Sequence, residues 1–297
     1  FSAIFAKVPA QKLLLAAPPP SSGGAYSGYA TLALGSAMAL FLYPHTMTGI
    51  LSAAGPRVIK RNAVLLPAYS LLLGLLALMG FMALAAGVKA MPQFADGFAK
   101  YGTSFAVPAL LLNAFPGWFV GVAFGAIAIG ALVPAAIMAI ASANIFTRDI
   151  WTQFIHSPSH KGETLVAKLF AIFMVVGAVA FILAIPSAYA VQLQLLGGMW
   201  IIQTFPSVIL SVFTRAFNGW ALLAGWAVGI ASATWLAAEN HFTGSIWAFH
   251  ILGYTLPSYI ALATVLLNAV VAAVLSPVFH AIADDRGQDE TTEADYA

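Results

Sequence analysis

Seven stretches of this sequence are long and apolar enough to cross a lipid bilayer as helices: residues 27–51, 62–87, 117–146, 164–186, 189–213, 219–238 and 258–279. The hydrocarbon core of a bilayer takes about 20 apolar residues to span as a helix. Backbone N–H and C=O groups find no water there, so the chain must bond them to one another, and a helix does so within a single segment. The alternating ten-residue strands of a membrane barrel are not visible. Across the whole chain 61% of residues are hydrophobic and 7% charged, against about 25% charged in a soluble domain. So few charges could not cover a surface in water. The sequence therefore predicts an all-α protein of about seven transmembrane helices, with the lipid bilayer as its solvent.

The segments between and around the spans divide the chain further. Residues 1–26 are expected to be an extracytoplasmic loop or interfacial segment, with Pro, Ser and Gly crowded into residues 17–25. The long connection 88–116 holds Pro92, Gly97, Gly102, Pro108 and Pro116, and has room for short helices lying over the membrane face. Residues 27–280 form the transmembrane domain, and 281–297 an acidic cytoplasmic tail expected to be disordered. Basic residues set the orientation. With the first connection inside, Arg57, Lys60, Arg61, Arg148, Lys161, Lys168, Arg215 and Arg286 are cytoplasmic, while Lys7, Lys12, Lys89 and Lys100 are outside. The chain opens on Phe1 without a signal-peptide pattern, so an incomplete N-terminus is expected. It has no cysteine and a net charge of +2. Thiolate metal sites and cysteine nucleophiles are excluded, and no basic cluster suggests nucleic acid.

Polar groups inside the spans are candidates for function by default. No Asp or Glu falls in the middle of a span, and His45 is the clear ionisable side chain at membrane depth. It follows Tyr43 and Pro44 and precedes Thr46. Proline lacks the N–H and clashes with the carbonyl four residues back, so the first span is expected to break near Tyr43–His45. Broken helices at membrane depth line cavities and form solute sites in transporters. Tyr43, His45 and Thr46 would then offer hydroxyl and imidazole donors to a small anion. The alternative is a hydrogen-bonded structural histidine beside a kink. A second break is expected at Pro134, which frees the carbonyl of Gly130 and loosens the turn; it reads either as a cation or substrate contact or as tight packing of small residues around a kink. In the fifth span Gln194, Trp200 and Gln203 read either as solute contacts or as interhelical bonds.

These residues carry a resemblance to the sodium:solute symporter family. The run Ser142-Ala143-Asn144-Ile145-Phe146-Thr147-Arg148-Asp149-Ile150-Trp151 is similar to that family's helix exit. Its monocarboxylate permease branch is resembled by Leu40 to Ala54, by Ala131 to Met138 and by Gln194 to Trp200. The resemblance implies the second half of a LeuT-type inverted-repeat fold, core helices six to ten, with two extra helices after it and the missing N-terminal helices of the same protein upstream. It places Tyr43, His45 and Thr46 on the broken sixth core helix and Gly198 to Gln203 on the tenth. Where many sodium-coupled members have two hydroxyl residues, this chain has Val133 and Pro134, so Gly130 and Val133 are the candidate cation contacts and the coupling ion is Na+ or H+. No cofactor is implied.

The function expected on that basis is cation-coupled import of short monocarboxylates such as pyruvate, lactate or acetate by alternating access, in a bacterial cytoplasmic (inner) membrane. Alternatives are a symporter of the same family for an amino acid or pantothenate, and a membrane channel or scaffold. A membrane enzyme is disfavoured: carboxylates are missing from the spans, and there is no HExxH or Cys/His cluster to serve as a reacting set.

Overall fold

The computed structural model describes residues 2–154, 159–184 and 190–282. The elements used below are α1 (Gly24–Leu42), α2 (Pro44–Leu51), α3 (Pro56–Ala85), α4 (Gly117–Ile145), α5 (His160–Ala184), α6 (Ala190–Ile201), α7 (Gly219–Glu239), β1 (Ile246–Ile251), β2 (Tyr254–Tyr259) and α8 (Ile260–Ile282). Seven helical segments among the described residues are long and apolar enough to cross a membrane. From residue 283 on, the acidic tail lies outside the described residues.

The chain divides into two compact units. The first holds residues 1–14 and 44–190. Here α2 packs on α4, and α4 packs on α5. The apolar windows of α3, α4 and α5 contain no buried residue. Leu132 (68% exposed), Leu183 (83%) and Val64 (78%) typify these surfaces. Lipid tails are as apolar as leucine, so such faces cost nothing in a bilayer. The connection from α3 to α4 folds into short helices, including Ala95–Tyr101 and Ala106–Ala114. Ala83, Val88, Phe94, Ala109 and Leu110 form a small core there. Phe105 stands edge-on to Phe98 at 5.4 Å, in the T-shaped arrangement favoured by aromatic quadrupoles.

The second unit holds residues 15–43 and 191–297. Its core gathers Ala39 of α1, Leu196 and Met199 of α6, Ala233 and Ala237 of α7, and Tyr259 to Leu262 at the head of α8. Small residues on α7 let α8 approach closely. The strands β1 and β2 form an antiparallel hairpin, with Ile246 opposite Tyr259 and Ile251 opposite Tyr254. The sequence pattern does not predict this hairpin, which occupies the connection between the last two spans and takes Ser258 and Tyr259 from the expected start of the last one. Polar bonds fix the hairpin over the start of α1. Gly23 N–H donates to the Thr255 carbonyl at 3.0 Å, and the Ser27 hydroxyl donates to the Pro257 carbonyl at 2.8 Å. The Tyr259 N–H donates to the Thr31 hydroxyl at 2.9 Å.

Candidate functional site

The first span is interrupted at Tyr43. That residue leaves the helical region, at φ −60° and ψ 136°, and α2 restarts on Pro44. The physical cause is local. Proline disfavours α geometry in the residue before it, and its missing N–H suits the first position of a new helix. The Thr48 hydroxyl turns back to the Pro44 carbonyl at 2.8 Å, which secures the first turn of α2. His45 and Thr46, the next two residues, are half-buried.

Tyr43 packs against the core of the second unit, and its hydroxyl donates to the Gln194 carbonyl at 3.4 Å. The side chain of Gln194 itself is exposed. A few residues on, Trp200 is 38% exposed and donates its indole N–H to the Thr234 hydroxyl of α7 at 3.0 Å. The structure therefore brings Tyr43 together with the backbone beside Gln194, while Trp200 is tied to α7.

Gln203 has a different setting. It is fully buried. Its side-chain amide donates to the Met199 carbonyl at 3.1 Å and to the Thr264 hydroxyl at 2.9 Å. Its Oε1 accepts from Asn268 at 3.3 Å. Every polar atom of that side chain is engaged by protein, which matches the interhelical option rather than a solute contact. The helix changes character just here, with a 3-10 turn over Ile202–Thr204 and a π turn over Pro206–Leu210. Pro206 has no N–H for an ordinary helical bond, and the neighbouring turns tighten and widen around that gap.

The second expected break is corrected by the structure. Pro134 lies inside α4, which runs unbroken from Gly117 to Ile145. One proline removes one hydrogen bond, and the turns on either side hold the remainder of the helix in line. Gly130 and Val133 are both exposed, with Val133 at 54%. Among the described residues no group of three or more His, Asp or Glu side chains is gathered as a metal site. The departure from α geometry comes later, in a π-helical turn over Phe146–Trp151 that forms the helix exit noted in the sequence. Phe146 stacks on Phe170 of α5 at 4.1 Å, and Thr147 is buried with no hydrogen-bond partner for its hydroxyl among the described residues.

The sequence reading passed over Thr264, Asn268 and Ser276, all buried polar residues on α8. Thr264 and Asn268 stand four apart and Ser276 eight further on, spacings that keep them towards one side of the last helix.

Comparison with known proteins agrees with this architecture. The sodium:solute symporter family profile matches residues 24–229. A monocarboxylate transport permease protein of Rhizobium johnstonii is 43% identical over 265 residues, covering 89% of this chain and 52% of that protein. Two proteins of Bacillus subtilis described as uncharacterized symporters are also similar. YodF is 29% identical over 68% of this chain and 39% of its own length. YhjB is 24% identical over 76% of this chain and 45% of its own. The chain thus spans about half the length of the curated relatives it matches. No solved structure matches it. With the family profile covering most of the chain and a relative 43% identical over 89% of it, this chain belongs to the sodium:solute symporter family.

Proposed function

We propose that the protein to which this chain belongs is a secondary symporter importing short monocarboxylates, such as pyruvate, lactate or acetate, down a gradient of Na+ or H+. The observation that carries the reading is the interruption at Tyr43–Pro44. A helix that restarts inside a span points its first N–H groups and the positive end of its dipole away from its start, a setting suited to a carboxylate. Pro44 contributes no N–H, so His45 and Thr46 supply the first donors of α2. The Thr46 hydroxyl and His45 imidazole add side-chain donors, and Tyr43 adds a phenol at the break. The printed name of the Rhizobium relative, a monocarboxylate transport permease, supports the solute class.

Transport then follows from coupling of two ligands. The cation binds the state that also binds the carboxylate, so each raises the other's affinity by the same factor. Alternating exposure of the site to the two sides converts the ion gradient into solute accumulation. His45 is the ionisable side chain at membrane depth, so proton coupling stands beside sodium coupling in this reading.

The test uses the full-length protein in proteoliposomes. Labelled pyruvate or lactate accumulates inside under an imposed Na+ or H+ gradient, and exchanging the two gradients identifies the ion. His45→Ala lowers uptake about tenfold, the loss of one charge-assisted hydrogen bond, while membrane insertion stays intact. Flux without accumulation against a gradient would point to a channel. Unchanged uptake in the variant would remove His45 from the site.

A further inference from the structure

The start of α3 carries a feature that solute transport leaves unused. Arg57, Lys60 and Arg61 line a shallow groove of about 690 Å³ that continues onto Val58, Val64 and Leu65. The positions 57, 60, 61, 64 and 65 follow the spacing of one helical face. All five side chains are exposed, Val64 at 78% and Leu65 at 54%. The first turn of α3 contains no acidic residue. Among the described residues the ion pair within 4.0 Å joins His160 to Glu163, and none reaches these three cations.

Three like charges on neighbouring turns repel one another. Positive charge at the beginning of a helix also opposes the helix dipole. The arrangement is favourable once an external anion sits among them. Location narrows the choice of anion. The 30-residue helix is apolar beyond Arg61, so the basic turns lie at the edge of the hydrocarbon, at the level of lipid phosphates. A small soluble anion would cover the cations and leave Val64 and Leu65 bare. A phospholipid covers both, because its own polarity changes from phosphate to acyl chain in the same order. The guanidinium fork matches phosphate oxygens in pairs, and the lysine ammonium adds a point charge.

We propose that Arg57, Lys60 and Arg61, with Val64 and Leu65, seat an anionic membrane phospholipid, its phosphate on the cations and an acyl chain along the apolar pair.

The full-length protein in neutral detergent is titrated with phosphatidylglycerol, with phosphatidylethanolamine, or with glycerol phosphate lacking chains. Thermal unfolding and native mass spectrometry report binding. Phosphatidylglycerol raises Tm and binds more tightly than phosphatidylethanolamine, and glycerol phosphate leaves Tm unchanged. The triple variant Arg57→Gln, Lys60→Gln, Arg61→Gln loses the preference, with affinity falling about fivefold per neutralised side chain. A triple variant that keeps the preference overturns the proposal. So does an equal response to glycerol phosphate, which assigns a soluble-anion site instead. Should the triple variant not fold, Arg57→Gln and Arg61→Gln are tested singly for the same loss per charge, and unchanged affinity in both overturns the proposal. Lys161→Gln with Lys168→Gln keeps the full preference; a loss equal to that of the triple variant would mean bulk charge and would also overturn it.

Discussion

The side-chain amide of Asn268 donates to the backbone carbonyl of Gln203 at 2.8 Å, joining α8 to the turn after α6 at a point with no solvent access. The Gln203 side chain answers on both sides, receiving from Asn268 and donating to Thr264. Gly225 and Gly229 of α7 make room for this polar joint. A Cβ on Gly229 would run into Gln203 Oε1, and one on Gly225 would stand 2.6 Å from the Asn268 carbonyl oxygen.

Substitutions at this joint are expected to weaken the fold. Asn268→Leu strands the Gln203 carbonyl and costs about 1–2 kcal/mol, the upper part of the range for polar contacts in membrane proteins. Gly229→Ala costs about 1–3 kcal/mol because the methyl group has no space. Unfolding of purified protein in detergent, by heat or chemical denaturant, measures both. Wild-type stability in Gly229→Ala would mean that α7 and α8 can separate freely.

Two tyrosines should separate stability from transport. The Tyr259 hydroxyl donates to the Leu195 carbonyl at 2.6 Å, and the residue is 1% exposed. Tyr259→Phe leaves that carbonyl bare and lowers stability by about 1 kcal/mol. Tyr43 makes a longer bond, 3.4 Å, to the Gln194 carbonyl. Tyr43→Phe is expected to unfold like the parent and to lose solute uptake. Thermal melts and uptake assays on the two variants give opposite patterns if this division is right.

The two prolines should also behave differently. Pro44 opens a new helix after a non-helical Tyr43, whereas Pro134 sits in continuous α4. Pro44→Ala allows α1 and α2 to merge into one helix, and uptake is expected to fall strongly. Pro134→Ala restores one backbone bond in an element that is already helical throughout, so uptake stays near the parental rate. Equal loss from both changes would return Pro134 to the site.

The hairpin tip carries a strained residue. Leu252 holds φ at +50° and is wholly exposed, followed by Gly253 at +83°. This type of turn favours Asn-Gly, and a leucine in left-handed geometry costs about 1–2 kcal/mol. Leu252→Asn or Leu252→Gly is expected to stabilise the hairpin by about 1 kcal/mol. Slower amide hydrogen exchange across Ile246–Ile251 reports the gain; unchanged exchange contradicts it.

The long apolar stretches and the scarcity of charge were enough to define the seven helices and their membrane setting, because a bilayer leaves the backbone almost no other way to satisfy itself. The interruption at Pro44 was legible as well, since proline disfavours helical geometry in the residue before it. Tertiary structure decided the rest. Pro134 looked the same in the sequence, yet its helix stays whole, because the intact turns around one missing bond keep it in line. Gln203 offered two readings until Asn268 and Thr264, each more than sixty residues away, took up its bonds. The hairpin between the last two spans has short strands and a leucine in its turn, a weak local signal, and its place depends on Gly23, Ser27 and Thr31 at the far end of the chain. Such pairings belong to groups distant in sequence, and local pattern carries no record of them.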